Sequence, residues 1–287
     1  MKKIKWMIQD VNMNFSKLDE VAHALNVLGY EYHGFGVIPF TKTITGLENI
    51  VEEDCLYVLI SGTKVLTLLD GITCLSEVNE NIPSNLLDKS GQIITNIKNG
   101  LFYDVNKFDQ TNYANLGLPL LNDSAMYLPI KDNLNRSFDK TMFIKPSRDL
   151  KAFDGGFIER GQTIKDFIEN QMYQAFYIDE IAIISELRNI SAEYRFFVVN
   201  GEITGQSMYK LGGHVTKAYP VPQNIIDAAN EYKDLYQPHD IFTMDLADTD
   251  QGIKIIEYNC WNASGHYNCD LVKTYTKLND YMIEKYC

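Results

Sequence analysis

Three oxygen-bearing side chains near the C-terminal end, Asp245, Glu257 and Asn259, stand at a spacing that sheet geometry would turn into a cluster. The stretch 241–259 reads IFTMDLADTDQGIKIIEYN, with apolar alternation on both sides of Asp250, Gln251 and Gly252. A three-residue loop with a left-handed Gly in its last position closes such a pair of strands into a hairpin. Centring the turn on Gln251 places Asp245 opposite Glu257, and a bulge would shift this by one residue. Glu257 and Asn259 are two apart on one strand and so share a face. Facing carboxylates repel unless a cation neutralises them. Mg²⁺, held by a few carboxylates plus phosphate oxygens, fits these donors. The plainer alternative is a solvated acidic face on an edge hairpin, against which stand the apolar flanks Phe242, Met244, Ile255 and Ile256. The fragment Asp248 to Gly252 imitates part of a calcium loop but lacks its full spacing, and it reads as a turn.

Basic and glycine residues lie upstream. The segment 143–156, FIKPSRDLKAFDGG, holds Lys145 at the end of an apolar run, then Lys151, then Gly155 and Gly156. Glycines let backbone N–H groups approach phosphate, and lysines supply point charges. Neither the phosphate-loop pattern nor the dinucleotide fingerprint is present. Taken alone, the segment also reads as a basic hairpin with surface lysines. Further on, an apolar strand ends at Ser185, Glu186 and Leu187, where backbone donors and acceptors can read the edge of an adenine. Glu193 can accept hydrogen bonds from a ribose hydroxyl. Its alternative is a same-face ion pair with Arg195.

These residues need elements to hold them. In the first part of the chain, strands are expected at 3–8, 30–35 and 56–60, with a helix over 16–28 capped by Ser16 and ended by Gly29. Strand, helix, strand and a fully apolar strand make a small α/β layer with parallel pairing. Residues 104–140 are looser, and the domain boundary is expected within 120–135, giving domains 1–125 and 126–287. The second half is strand-rich, at 142–145, 156–159, 181–186, 193–199, 202–209, 241–246 and 253–259. Helices are expected at 163–172 and 222–235, and Asn200-Gly201 signals a type I′ hairpin turn. The fold class is therefore α+β with an α/β N-terminal part. A chain of 287 residues is long enough for about two domains. Its net charge of −12 argues against bulk binding to a nucleic-acid backbone. No apolar run reaches the roughly 18 residues of a membrane span. Five cysteines without a C-x-x-C pair read as reduced thiols in a cytoplasmic setting.

The order Lys145, Lys151 with a Gly-rich loop, Ser185–Leu187, Glu193, then Asp245, Glu257 and Asn259 resembles the ATP-grasp superfamily of carboxylate–amine ligases. FIKPSRDxKxF, EYRFFVV and IIEYNxxxxSGxY look like its R2K clade, frequent in phages and bacteria, and the acidic spacing is similar to that of RimK-like ligases. The resemblance covers most of 140–275. It implies an ATP-grasp fold of antiparallel sheets and helices, preceded by a small α/β pre-grasp domain. By position, Lys145 and Lys151 would bind ATP phosphates under a loop carrying Gly155 and Gly156. Ser185, Glu186 and Leu187 would meet adenine, and Glu193 the ribose. Asp245, Glu257 and Asn259 would bind two Mg²⁺, with Glu257 bridging.

One departure is plain. Many ATP-grasp ligases carry Arg two residues before the metal Asp, where this chain has Thr243. Arg195, Lys210 and Lys217 are the cations that could replace it, with Lys210 preferred and Arg195 kept as the second catalytic candidate. Asn262, Ser264, His266 and His214 are read as loop residues that could also face an acceptor. The implied chemistry joins a small-molecule or peptide carboxylate to an amine through an acyl phosphate, with ATP consumed to ADP, in the cytoplasm of a bacterium or phage host. Two alternatives stay open: a catalytically silent ATP-binding regulatory protein, and a ligase that modifies a macromolecule with an amino acid.

Overall fold

A computed structural model describes residues 3–9, 17–38, 41–48, 50–148, 152–171, 177–216 and 220–286. The expected cap Ser16, Lys151 and Lys217 lie outside the described residues. The chain forms two compact units, and it passes between them more than once. The first comprises 1–103, 197–206 and 261–287, and the second 104–196 and 207–260.

In the first unit, β1 (Lys3–Gln9) is the centre of a sheet ordered β3-β2-β1-β4, with β2 at Tyr32–Val37, β3 at Ile44–Thr45 and β4 at Cys55–Ile60. The β1 strand pairs in parallel with both β2 and β4. The apolar run of β4 is buried along nearly its whole length, as a parallel strand covered on both faces must be. Helices Lys17–Leu28, Thr63–Asp70, Ser90–Asn99 and Leu271–Tyr286 complete the unit. The Ser90–Asn99 helix presents Ile93, Ile94 and Ile97 to the core, at the spacing of one helical face.

The second unit holds a sheet ordered β5-β8-β6-β7, formed by Met126–Pro129, Ile181–Ser185, Met142–Pro146 and Gly156–Ile158, all antiparallel. Met142, Ile144, Ala182 and Ile184 turn one face of it to a core shared with Ile164 and Phe167 of the Ile164–Glu169 helix. That helix is shorter than expected because Asn170 takes up its last carbonyls, the side chain donating to Asp166 O at 2.7 Å. A five-stranded sheet runs β11-β10-β9-β12-β13, through His214–Val215, Glu202–Leu211, Ile190–Val199, Ile241–Thr249 and Gly252–Asn259. Its tips at 197–206 count with the first unit. Asn200 and Gly201 join β9 to β10 with φ of 48° and 75°, the left-handed pair that a type I′ turn needs. Among the described residues, no helix is long and apolar enough to cross a membrane.

Candidate functional site

The β12–β13 hairpin sets the acidic residues. Gly252 has φ of +92°, which favours glycine at the end of the turn. From Thr249↔Gly252 to Leu246↔Ile255 the strands keep one register. Ile256 is then an extra residue, and beyond it Asp245 faces Glu257 and Thr243 faces Asn259. The bulge decides the chemistry. Without it Glu257 would pair with Met244 and point to the opposite face of the sheet from Asp245. The outer edge of β13 is held just before the bulge, where Ile255 N–H donates to Pro119 O and Ile255 O accepts from Leu121 N–H, each at 2.8 Å.

Asp245 is buried, and Arg195 of β9 grips it with two hydrogen bonds, Nε to Oδ1 at 2.8 Å and a terminal nitrogen to Oδ2 at 2.7 Å. Burial pushes the Asp245 carboxyl up from its ordinary value, and Arg195 pulls it back down. Asn259 Nδ2 bridges the carboxylates, donating to Glu257 Oε1 at 3.1 Å and reaching Asp245 Oδ2 at 3.4 Å. Lys145, at the end of β6, places Nζ 2.8 Å from Glu257 Oε2 and 3.5 Å from the carbonyl of the bulged Ile256. The network extends the other way. Arg195 lies over the Tyr209 ring, 5.6 Å from its centroid, and the Tyr209 hydroxyl donates to Glu193 Oε2 at 2.8 Å. Lys210 Nζ stands 2.9 Å from Glu193 Oε1.

A cavity of about 540 Å³ in the second unit is lined by Lys145, Gly155, Ser185, Glu186, Leu187, Glu193, Lys210, Glu257 and Asn259 among others. Asp245 and Arg195 lie behind that lining and reach it through Asn259. Gly156 opens β7 beside β6, with Gly155 just before it. A Cβ on Gly155 would stand 3.4 Å from Lys145 Cβ, and one on Gly156 would crowd the Phe167 ring at 3.1 Å. Ser185 donates to Asn122 Oδ1 at 3.0 Å, while Glu186 and Leu187 are exposed, with Glu186 paired to Lys140.

The side chains suit a hard cation: two carboxylates and an amide oxygen on adjoining strands, with phosphate oxygens and water to complete the shell. Asn259 must turn its amide for its oxygen to take part. Among the described residues, no group of three or more His, Cys, Asp or Glu is arranged to hold a metal, so the set depends on that amide. Asn262, Ser264 and His266 have structural partners in the first unit. Asn262 donates to Leu59 O and Gly100 O and accepts from Phe102 N–H. Ser264 N–H donates to Trp261 O, and His266 stacks on Phe197 at 5.4 Å beside the Tyr275 hydroxyl. His214 is exposed on the edge strand β11. Sequence reasoning missed Tyr209, Asn122, Phe143 and Gln110 in the cavity wall. Only Tyr209 carried a signal, since it precedes Lys210 on a strand whose other face is buried.

The model of the ATP-grasp domain, R2K clade family 3, matches residues 108–278. The chain belongs to this ATP-grasp family. Solved ATP-grasp structures share its fold. A RimK-domain ATP-grasp protein from Sphaerobacter thermophilus is 8% identical, with 97% of this chain and 99% of that one covered and a TM-score of 0.52. D-alanine–D-alanine ligase from Bacillus anthracis, complexed with ATP, is 16% identical over 99% and 96% of the two chains, with a TM-score of 0.53. The macrocyclase MdnC from Microcystis aeruginosa, bound with precursor peptide MdnA, is 13% identical over 96% and 99%, at 0.51. No curated protein matches significantly. The R2K match spans every cavity-lining residue named here, from Gln110 to Asn259.

Proposed function

We propose that this R2K protein is an ATP-dependent carboxylate–amine ligase that forms its amide through an acyl phosphate. The cavity of the second unit carries the nucleotide and the chemistry, and the α/β part belongs to the first unit. The observation that carries the reading is the single hydrogen-bonded network of Lys145, Glu257, Asn259 and Asp245 at one cavity wall. Adenine sits against Ser185, Glu186 and Leu187, and Glu193 takes the ribose, giving up part of its hold on Lys210. Lys145 and Lys151 draw the phosphates in. Asp245, Glu257 and Asn259 would hold one or two Mg²⁺, which neutralise and orient phosphate oxygens when bound.

The substrate carboxylate attacks the γ-phosphorus, the bond to the β,γ-bridging oxygen breaks, and ADP leaves. The amine then attacks the acyl carbon, loses a proton and expels phosphate. The chain's own work is to position the reactants and steady negative charge. Lys210, which lines the cavity beside Glu193, takes the role left open by Thr243. Arg195 holds Asp245 in position from behind the cavity wall. The same Arg195–Asp245 grip supports a second reading, in which the protein binds ATP and regulates without transferring phosphate.

Isotope-traced ATP with Mg²⁺ and mixtures of carboxylates and amines tests the choice. The ligase reading expects ADP together with a new amide. ADP without amide across broad mixtures counts against it, and nucleotide binding without any ADP supports the regulator.

A further inference from the structure

The cavity of the second unit is graded along one strand. Phe143 and Lys145 line it from the face of β6 opposite Met142 and Ile144, and Ser147 lines it from the bend just past the end of the strand. At ~3.3 Å per residue of extended chain, Phe143 and Ser147 stand at most ~13 Å apart, with Lys145 between them. The Phe143 end borders Ser185 and Leu187. The Ser147 end borders Gln110, whose backbone N–H donates to Ser147 O at 3.0 Å. Aromatic ring, cation and hydroxyl therefore follow one another over about the reach of an extended nucleoside triphosphate.

Two buried polar atoms at the Ser147 end have no hydrogen-bond partner among the described residues: Ser147 Oγ and Gln110 Oε1, on residues 5% and 1% exposed. Such atoms are uncommon in folded proteins and costly to leave unpaired. Arg148 beside them is held by Glu180.

We propose that Ser147 and Gln110 bind the terminal phosphate of the nucleotide, an inference that rests on the ATP reading above. A rotation about χ1 turns the Ser147 hydroxyl into the cavity, where it donates to a phosphate oxygen. Gln110 Nε2 lies 3.2 Å from the Tyr127 hydroxyl. A phenol donates as well as accepts, so the amide can flip. Oε1 then accepts from Tyr127 and Nε2 donates to the phosphate. Both unpaired atoms are satisfied in that one state.

Calorimetric titration of adenosine, Mg·ADP and a non-hydrolysable Mg·ATP analogue into wild type, Ser147→Ala and Gln110→Met tests this. Each variant should bind the ATP analogue about tenfold more weakly, with ADP and adenosine within about twofold of wild type. Unchanged binding of the ATP analogue, or equal losses for ADP and the analogue, overturns the assignment. Ser147→Ala removes one oxygen and carries the test alone if Gln110→Met does not fold. A wild type that binds none of the three defeats the ATP reading and this inference with it. Failure of the inference alone leaves wild-type binding intact.

Discussion

Two charged clusters in this molecule look alike by composition and differ in what surrounds them. In the first unit, Lys5 is buried on β1 between Glu31, at 3.1 Å, and Glu52, and the two carboxylates are 49% and 58% exposed. In the second, Lys145 and Arg195 pair with Glu257 and Asp245, whose side chains are 32% and 2% exposed. The Lys5 cluster ties together segments that enter the parallel strands, and none of its members lines the cavity of the second unit. The Lys145 cluster forms part of that cavity's wall, and Asn259 couples its two pairs. An ion pair alone marks neither stability nor function. A pair whose carboxylate faces a space large enough for a ligand can exchange its partner.

The largest expected effect separates the two pairs within the site. Arg195→Ala leaves Asp245 buried without a cation and should cost about 3–5 kcal/mol in chemical denaturation. Combining Arg195→Met with Asp245→Leu should recover most of that stability and none of the nucleotide chemistry. If Arg195→Ala unfolds at the wild-type denaturant midpoint, Arg195 does not hold Asp245 in a stabilising buried pair.

Lys145→Met should act in the opposite sense. Glu257 keeps access to water, so stability changes by at most about 1 kcal/mol. Affinity for an ATP analogue should fall about tenfold to a hundredfold, the loss of a charge-assisted contact to phosphate, read by calorimetry. Glu257→Gln should leave magnesium-free binding near wild type and abolish the gain that Mg²⁺ brings, checked by titration with and without the metal.

The smallest effect falls on the first unit. Glu31 and Glu52 are held below their ordinary value of 4.5, first of all by hydrogen bonds from Lys5. Their contribution is present above that value and is lost as the pH falls through the lowered ones. Lys5→Met should therefore flatten the acid limb of a stability–pH curve below about pH 4.5 and leave nucleotide binding untouched. An unchanged acid limb would remove the contrast between the clusters.

Much of the site was legible because it is local. Period-two alternation and Gly252 specified the hairpin, and a turn centred on Gln251 led to the expectation that Asp245 pairs with Glu257, as it does. The expected pairing came through a different route, since a tighter register near the turn is offset by the bulge at Ile256. The cations were not legible as partners. Lys145 meets Glu257 across 112 positions and Arg195 meets Asp245 across 50, and no periodic pattern reports such separations. Residues 104–140 read as loose because backbone hydrogen bonds to Ser147 and Ile255, not an apolar stripe, fix Gln110 and Leu121 in place. The opening α/β layer was readable from its apolar strands. The return of 261–287 to that unit was not, because its contacts are distant in sequence: Asn262 bonds to Leu59, Gly100 and Phe102, and Trp261 and Tyr275 pack on Trp6.

The most direct measurement is a crystal structure with a non-hydrolysable ATP analogue and Mg²⁺. The metal should lie between Asp245, Glu257, Asn259 and the phosphates, with Lys145 Nζ moved from Glu257 onto a phosphate oxygen. Nucleotide or metal bound elsewhere, with the Lys145–Glu257 pair intact, would contradict the account.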